Sequence, residues 1–336
     1  MNIVEAIQKL TNKGNLSEDE VRDVINSIMK GEATSCQKGG FLAALKMKGE
    51  TTEEMLGAVK ALRDNFTRVN IDNPCHLIDT CGTGGDGGRT FNVSTCVAIV
   101  AASGGAKIAK HGNRAVSSKS GSADVLSELQ IKTDYTPEES AKIIVEDGMA
   151  FLFAPQYNPA MKNVAAERRE LGCRTLFNLI GPLSNPAPLT GQLLGIYDGS
   201  LVKSACMVLK DLGLNRALVV HGDDGLDEIT TTTTTTICEL NNGEVKEYKF
   251  DAQEYGFEKV KMEDIAGGTP KENAQIILDI LKGKKGAKRD IVVVNSGAAL
   301  YAAEIVNSIE EGIKKAEELI DTGKAYEKYI QLKKAL

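Results

Sequence analysis

The sequence predicts an α/β protein in which a helical N-terminal region precedes a longer segment built around a sheet. Two observations lead to this fold class. Residues 1–67 carry apolar side chains at helical spacing and contain three consecutive capping boxes. From about residue 74, short apolar runs alternate with longer helical stretches, which is typical of strands joined by helices within one sheet.

The overall composition limits the classes of function. The 336-residue chain is 42% hydrophobic and 26% charged, as in an ordinary soluble globular protein. Its net charge of −6 argues against nucleic acid as a partner. No apolar run approaches the length of a membrane span, and the first residues form a helical stripe unlike a secretory leader. Seven cysteines without a C-x-x-C pair indicate reduced thiols and a cytoplasmic location.

Residues 1–67 are predicted to form four short helices. Ile3, Ile7 and Leu10 mark the apolar stripe of the first helix. The other three helices are predicted to begin at the capping boxes Ser17-x-x-Glu20, Thr34-x-x-Gln37 and Thr51-x-x-Glu54. We interpret their apolar stripes as core packing.

The remaining residues are predicted to alternate between strands and helices. The strands are expected at 76–79, 106–109, 150–154, 193–197, 217–221 and 290–295. The helices are expected at 94–103, 121–129, 137–146, 158–171, 201–212, 273–281, 298–307, 308–320 and 323–335. Residues 240–250 are predicted to form a hairpin away from the main sheet, and residues 181–188, with three prolines, a rigid linker between domains. The run of seven threonines from Thr230 to Thr236 has no apolar alternation that would assign a register.

A glycine-rich stretch at residues 79–90 is the first candidate site. Five glycines lie between residues 82 and 88, after a predicted strand and before a helix whose start at 92–95 offers capping side chains. Glycines let backbone N–H groups approach an anion, and a helix N-terminus favours negative charge. A flexible surface loop is the alternative. The flanking strand and helix favour a phosphate site.

A second polar stretch, residues 110–124, also follows a predicted strand. It combines cationic side chains, hydroxyls and two glycines. Ligands of α/β sheets bind beyond the carboxyl ends of the strands, so two such loops suggest one substrate with well-separated phosphates. The alternative is a basic, solvated loop.

Two further groups of charged residues complete the candidates. Asp223, Asp224, Asp227 and Glu228 follow another predicted strand and suit a divalent cation, although an isolated acidic turn is the alternative. Arg168 near a helix end either complements the helix dipole or clamps a carboxylate. No nucleophile–base pair stands out, which favours chemistry based on positioning and charge stabilisation.

Read in order, these stretches resemble the anthranilate phosphoribosyltransferase family. The matching motifs are D-T-C-G-T-G-G-D at 79–86, F-N-V-S-T at 91–95, K-H-G-N-R at 110–114 with S-A-D at 122–124, R-T-L-F-N at 174–178, G-P-L and N-P within 181–186, H-G at 221–222 and D-E at 227–228. The resemblance covers nearly the whole chain.

The resemblance implies a fold of two domains. These are a small all-helical domain at 1–70, joined by helices from about 160–185, and a large α/β domain at 74–336 with a central, mostly parallel sheet flanked by helices. It also implies a homodimer formed through the helical domain.

The resemblance further implies the reaction and its site. The phosphoribosyl group of 5-phosphoribosyl 1-diphosphate would pass to the amine of anthranilate, with Lys110 as the catalytic residue. The residues implied for the diphosphate substrate are Gly82, Gly85, Asp86, Thr90, Asn92, Val93, Ser94, Thr95, Lys110, His111, Gly112, Asn113, Arg114, Ala115, Val116, Ser117, Ser118 and Ser122. Those implied for anthranilate are Gly82, Asn113 and Arg168, and those for Mg²⁺, at two ions per site, are Ser94, Asp227 and Glu228.

Two other functions share this architecture. A pyrimidine nucleoside phosphorylase would carry different phosphate-binding lysine and serine motifs from those at 110–114. A non-catalytic paralogue that binds nucleic acid would carry basic surfaces and lack Asp227, Glu228 or Asn113. The negative net charge and the presence of these residues argue against that paralogue.

Overall fold

The computed structural model of the protein describes residues 1–84, 89–115 and 119–335. Its helices are α1 (Ile3–Thr11), α2 (Glu18–Lys30), α3 (Ser35–Lys48), α4 (Thr52–Asp64), α5 (Val93–Ser103), α6 (Ser122–Glu128), α7 (Pro137–Asp147), α8 (Ala154–Tyr157), α9 (Ala165–Leu171), α10 (Leu176–Leu183), α11 (Val202–Asp211), α12 (Pro270–Leu281), α13 (Ala287–Ala302), α14 (Ile309–Asp321) and α15 (Lys324–Lys334). Short 3₁₀ helices lie at Pro159–Asn163, Gly199–Leu201, Ala252–Tyr255 and Met262–Ile265.

The strands belong to one sheet in the described part of the chain. They are β1 (Leu77–Gly82), β2 (Lys107–Gly112), β3 (Met149–Phe153), β4 (Gly191–Gly195), β5 (Arg216–Gly222), β6 (Thr235–Asn241) and β7 (Glu244–Phe250). Their spatial order is β3-β2-β1-β4-β5-β6-β7. The first five are parallel, and β6 and β7 are antiparallel to their neighbours. The predicted α/β class with an N-terminal helical domain and a mostly parallel central sheet is confirmed.

The N-terminal helices begin where the capping boxes predict. Ser17, Thr34 and Thr51 each accept a hydrogen bond from a backbone N–H of the first turn, and the third helical residue bonds back to the cap. Asn2 caps α1 in the same way, although the sequence analysis did not single it out. These reciprocal bonds satisfy backbone donors that a helix cannot satisfy internally.

Two large apolar cores lie on opposite faces of the sheet. One contains α5, α13 and α14 and the adjoining face of the central strands. The other joins side chains of α1–α4 to α10, α11 and the opposite face of β4 and β5. Leu194 and Val219 of the sheet therefore share a core with Val24 and Leu45 of the helical region. Helical and α/β regions are packed as one continuous body on that face.

Three sequence-based expectations are wrong. Residues 290–295, predicted as a strand, lie inside α13. The same helix includes the first part of the helix expected at 298–307 and ends at Ala302. The 240–250 hairpin is not separate from the main sheet, because β6 pairs with β5 along its whole length. Residues 181–188 are not a linker throughout, because Gly181 to Leu183 form the last turn of α10.

The run of threonines divides between two structures. Thr235 and Thr236 begin β6, where β-branched residues fit a pleated strand. The preceding threonines form a turn tied to an acidic segment by their hydroxyl groups. Across residues 1–84, 89–115 and 119–335, no helix combines the length and apolar character that crossing a membrane requires.

Candidate active site

The candidate site lies at the carboxyl edge of the parallel strands. β1, β2 and β5 end at Gly82, Gly112 and Gly222, and each leads directly into one of the polar stretches picked out in the sequence. From β1 the chain continues outward to β2 and β3 on one side, and from β4 it continues to β5 on the other side. A crevice therefore opens between the carboxyl ends of β1 and β4. The fold thereby brings three stretches that are distant in sequence to one place.

Asp227 crosses this crevice and contacts the glycine loop. Its carboxylate accepts a hydrogen bond from the backbone N–H of Gly84 at 2.8 Å. A Cβ atom on Gly82 would lie 2.2 Å from the Asp227 carboxylate, and one on Gly195 only 1.7 Å from its backbone oxygen. The close approach therefore requires glycine at both strand ends. Gly195 is a position that the sequence analysis missed.

Asp223 and Asp224 each have partners of their own. Asp223 forms an ion pair with Lys249 at 2.6 Å. Asp224 accepts hydrogen bonds from the hydroxyls of Thr230, at 2.6 Å, and Thr232. The acidic stretch is therefore not one four-carboxylate cluster, because two of its members hold the turn in shape while Asp227 faces the glycine loop.

Asn295 fixes the other end of this turn. Its side-chain oxygen accepts from the backbone N–H of Ile229 at 2.9 Å, and its amide donates to the Ile229 carbonyl at 2.8 Å. Asn295 itself is fully buried in α13. Since the bonds are made to the residue after Glu228, they fix the backbone that carries both Asp227 and Glu228.

Lys110 lies beneath the glycine loop. It is 1% exposed, and its ammonium donates to the backbone carbonyl of Thr80 at 2.5 Å and to the hydroxyl of Ser94 at 3.2 Å. Burial lowers the pKa of Lys110, while the negative charges of Asp79 and then, more weakly, Glu228 oppose that shift. The Lys110 ammonium thereby links β1 to the start of α5 and places a buried positive charge next to the site.

Asp79 is a buried acid that the sequence analysis placed only at a strand end. Its carboxylate accepts from the amide of Asn185 at 2.9 Å and from the backbone N–H of His111 at 3.3 Å. Burial raises the pKa of Asp79 to about 6, although Lys110 and the bond from Asn185 oppose the shift. Asn185 also donates to the carbonyl of Ala109 at 2.8 Å. This polar cluster supports the second loop from inside the sheet.

His111 is the partly buried histidine of this loop. Burial lowers its pKa to about 4, so the imidazole is neutral at pH 7. Its ring lies 6.1 Å from that of Phe66, edge to face. Nε2 is buried and has no hydrogen-bond partner within the described residues. The neutral ring therefore adds no positive charge to the site.

Asp124 ties the described ends of the second loop together. Its carboxylate accepts from the backbone N–H groups of Ala115, at 2.8 Å, and Gly121, at 3.0 Å. It also forms an ion pair with Arg114 at 3.2 Å. The sequence contains the spacing that predicts this contact, because Gly121-x-x-Asp124 matches the acidic position of a capping box.

Asn92 joins the two loops rather than capping its own helix. It makes no side-chain cap bond to α5. Its side-chain oxygen accepts from the hydroxyl of Ser120 at 2.9 Å and from the amide of Asn273 at 3.0 Å. This bridge places the start of α5 beside the second loop.

Arg168 lies in the last turn of α9. Its guanidinium carbon lies 5.6 Å from the centre of the Phe177 ring. Burial lowers its pKa. Within the described residues no carboxylate pairs with Arg168. A half-buried guanidinium with an aromatic face and no acid partner suits a planar carboxylate ligand.

Several implied substrate residues can be located and others cannot. Gly85, Asp86, Val116, Ser117 and Ser118 lie outside the described residues. The side chains of Val93 and Thr95 are buried, so any contact from them to a ligand must come from the backbone. The remaining implied residues are at least partly exposed in or beside the two loops. They are Thr90, Gly112, Asn113, Arg114, Ala115 and Ser122.

The donor set fits a hard divalent cation only together with a substrate. Across the described ranges, no three His, Cys, Asp or Glu side chains cluster closely enough to hold a metal ion by themselves. Asp227, Glu228 and the hydroxyl of Ser94 are oxygen donors, and Glu228 acts electrostatically on Lys110, which bonds Ser94. Mg²⁺ typically takes one or two protein carboxylates and completes its shell with water and phosphate oxygens.

Comparison with known proteins agrees over the whole chain. Residues 75–326 match the a/b domain of a glycosyl transferase family, and residues 4–66 match its helical bundle domain. The anthranilate phosphoribosyltransferase of Clostridium beijerinckii is 66% identical over 332 residues, covering 99% of this chain and 98% of that protein.

Solved structures of the same name share the fold. The anthranilate phosphoribosyltransferase of Thermus thermophilus superposes with a TM-score of 0.92 at 38% identity, covering 98% of both chains. The Saccharomyces cerevisiae enzyme, in complex with PRPP and Mg, gives a TM-score of 0.87 at 28% identity, covering 98% of this chain and 96% of that one. With this identity and coverage, the chain belongs to the anthranilate phosphoribosyltransferase family.

Proposed function

We propose that this protein transfers the phosphoribosyl group of 5-phosphoribosyl 1-diphosphate to the amine of anthranilate. The products are N-(5-phosphoribosyl)anthranilate and diphosphate, in L-tryptophan biosynthesis. The observation that carries the proposal is the contact between Asp227 and the Gly84 N–H, which joins a metal-competent carboxylate to a phosphate-competent loop at one crevice. The sequence identity of 66% between this chain and the anthranilate phosphoribosyltransferase of Clostridium beijerinckii supports the same reaction.

The diphosphate substrate would lie between the two loops. The start of α5, which follows the glycine loop, offers the N-terminal end of a helix dipole, which favours phosphate. The second loop, whose closed shape depends on Asp124, would cover the other phosphate with Ser122 and with the backbone of 113–115. Lys110 adds positive charge beneath both loops and fixes Ser94.

Anthranilate would bind on the helical side of the crevice. Its carboxylate would pair with Arg168, whose guanidinium has no carboxylate partner within the described residues and already lies against an aromatic ring. Gly82 and Asn113 would border its amine. This arrangement directs the amine toward the ribose and the carboxylate away from the phosphates.

The reaction then depends on positioning and charge. The bond from ribose C1 to the diphosphate stretches first, which develops positive charge on the ring, and the neutral aromatic amine attacks the opposite face. An arylamine needs little help from a general base, which agrees with a site whose histidine is neutral. The protein holds both reactants aligned and keeps water out. When bound through Asp227, Glu228 and Ser94, Mg²⁺ offsets the charge of the departing diphosphate.

The proposal extends to the domains and the assembly. We propose that residues 1–70, with helices from about 160–185, form one domain, and that residues 74–336 form the other. We further propose a homodimer through the helical domain. Exposed apolar side chains on the helical domain support this interface, because apolar surface is buried when subunits associate. They are Met1, Val4 and Met47, the last of them 87% exposed.

A coupled assay tests the reaction. The loss of anthranilate fluorescence and the release of diphosphate should proceed together at equal rates when both substrates and Mg²⁺ are present, and both should stop when Mg²⁺ is chelated. Thymidine with phosphate in place of these substrates should give no turnover. Phosphorolysis of the nucleoside, or DNA binding without any diphosphate release, would contradict the proposal.

A further inference from the structure

A second cleft lies at the opposite edge of the sheet from the candidate active site. Its volume is about 370 Å³, within the range of small-molecule sites. Pro74 precedes β1, residues 187–190 precede β4 and residues 212–215 precede β5, and all three segments line the cleft. Arg63, in the last turn of α4, closes it from the helical region. We call this feature the basal cleft.

The cation of the basal cleft has no acceptor among the residues that the structure describes. Arg63 forms no ion pair with any described residue, and its Nε is buried without a hydrogen-bond partner among them. The neighbouring carboxylate, Asp64, is already paired with Arg22 at 2.7 Å. Burial lowers the pKa of Arg63, and the charge of Arg68 adds to that shift. A desolvated guanidinium without a counter-charge is costly, so an anion that enters the cleft relieves that cost.

The position of Arg63 at a helix end does not account for its environment. An arginine in the last turn complements the helix dipole when its guanidinium bonds the last carbonyls. Arg63 makes no such bond to a described residue, whereas Asn65 beside it bonds the carbonyl of Ala61 at 2.8 Å. The last turn of α4 is thus capped by its neighbour, which leaves the guanidinium directed to the cleft.

The rest of the lining specifies the body of the ligand. Five of the ten lining residues are prolines and leucines, Pro74, Pro188, Leu189, Leu212 and Leu214, and the other five are polar or small. Asn215 is exposed and offers a further polar side chain. The backbone N–H groups of Thr190 and Leu189 are both used inside the protein, so they offer nothing to an inorganic polyanion. One cation with both apolar and polar neighbours matches a small monoanion that carries an apolar portion beside its charge.

We propose that the basal cleft is a second ligand site, which binds a small carboxylate with an apolar or aromatic body through Arg63. The carboxylate pairs with the guanidinium, and the ring or chain packs against the prolines and leucines. The site is separate from the crevice at Gly82 because it lies before the strands rather than beyond them.

A bromine-labelled probe tests the site. 4-Bromobenzoate is titrated into the Arg168→Gln protein, which lacks the proposed anthranilate clamp, and anomalous scattering from a soaked crystal locates the bromine. We expect one molecule bound in the basal cleft. Replacing Arg63 with Gln on the same background should weaken binding at least tenfold, and Arg68→Gln, which removes a nearby exposed cation, should weaken it much less.

Two further measurements keep the outcome decisive. Asn215→Asp places a carboxylate in the lining without removing any packed side chain and should also weaken the probe. Arg63→Gln in the otherwise native chain should leave kcat and both KM values unchanged, because it touches no part of the proposed active site. Bromine density only near Gly82, equal binding by the Arg63→Gln protein, or tighter binding of inorganic phosphate than of the probe within the basal cleft itself would overturn the proposal.

Discussion

Asp79 and Lys110 are two oppositely charged side chains buried on adjacent strands beneath the phosphate loops. Each is held by neutral partners, Asp79 by Asn185 and Lys110 by the carbonyl of Thr80. Burial shifts both pKa values toward the neutral forms, and each charge partly reverses the shift of the other. Removing either one leaves the other without its counter-charge, which is the costly case for buried ions.

Replacement of Lys110 by Ala should lower kcat/KM by roughly 100-fold, in the range seen when a preorganised electrostatic group is removed. Because Lys110 positions Ser94 and adds charge beneath the diphosphate, most of the loss should fall on kcat. Lys107→Ala, on the same strand, is the matched control, since the ammonium of Lys107 donates to the carbonyl of Val145, away from Ser94. Steady-state kinetics at saturating anthranilate measures both variants. A Lys110→Ala enzyme with native kcat would exclude the role.

The pKa of Asp79 predicts a pH dependence of stability. In the folded protein the pKa of Asp79 is about 6, against 3.8 for an ordinary aspartate. The protonated Asp79 side chain therefore contributes stability that is fully present below pH 3.8 and is lost as the pH rises through 6. The expected loss is about 3 kcal/mol. Asp79→Asn should abolish this contribution. Urea unfolding at pH 4.5 and 7.5 should therefore show a smaller pH difference in the variant, and equal differences would contradict the assignment.

At the scale of single elements, the second loop depends on one helix-start carboxylate. Asp124→Ala removes the acceptor of the Ala115 and Gly121 N–H groups, so the loop opens. We expect KM for 5-phosphoribosyl 1-diphosphate to rise roughly tenfold, the size of one lost capping contact. Glu311→Ala, which removes a similar bond to the Asn307 N–H at the start of α14, should leave KM unchanged. Initial-rate kinetics distinguishes the two, and equal KM values would show that Asp124 does not shape the site.

The elements that could be predicted are those with local signals. Capping boxes locate α2, α3 and α4 because the bonds they describe join residues three apart. Residues 290–295 were misassigned because α13 is buried on nearly all sides and shows no helical periodicity, so its Ile291 to Val294 run resembles a buried strand. The 240–250 hairpin was recognised, but its pairing to β5 depends on contacts that are distant in sequence.

The site shows the same division. Local motifs identified the segments around Gly82, Lys110 and Asp227, and the sheet brings them together. The Lys110 side chain points inward to Thr80, and the motif does not predict this direction. Successive strand residues point to opposite faces, and the motif does not say which face Lys110 takes. Gly195 escaped notice for a similar reason, since its need for a small side chain comes from Asp227, 32 positions later in the chain.

At the scale of the whole molecule, the helical and α/β regions share a core. Side chains of α1–α4 pack in one cluster with α10, α11 and a face of the sheet. Since separating the regions would expose apolar surface on both, they should unfold together. Calorimetry should show a single transition with equal calorimetric and van't Hoff enthalpies. Two resolved transitions, or a stable fragment of residues 67–336, would contradict this shared core.

The proposed dimer also predicts a change at this scale. Met47 is 87% exposed at the end of α3, and a charge there would have to be buried on association. Met47→Glu should therefore shift the protein toward the monomer in light scattering after gel filtration. Val145→Glu, which changes an exposed apolar side chain on α7, is the matched control and should leave the mass unchanged. A monomeric native protein, or a Met47→Glu protein of native mass, would exclude this interface.

The hairpin of β6 and β7 also bears on how the protein behaves among its copies. β7 is the last strand of the sheet, so its outer backbone groups are free to pair with another chain. Its sequence carries Glu244, Lys246, Glu247 and Lys249, all of them exposed. Charged side chains along an edge strand, lysines above all, disfavour the addition of a strand from another chain. The hairpin therefore ends the sheet with a strand that resists polymerisation, which keeps the open edge from becoming a template for aggregation while the chain is being made.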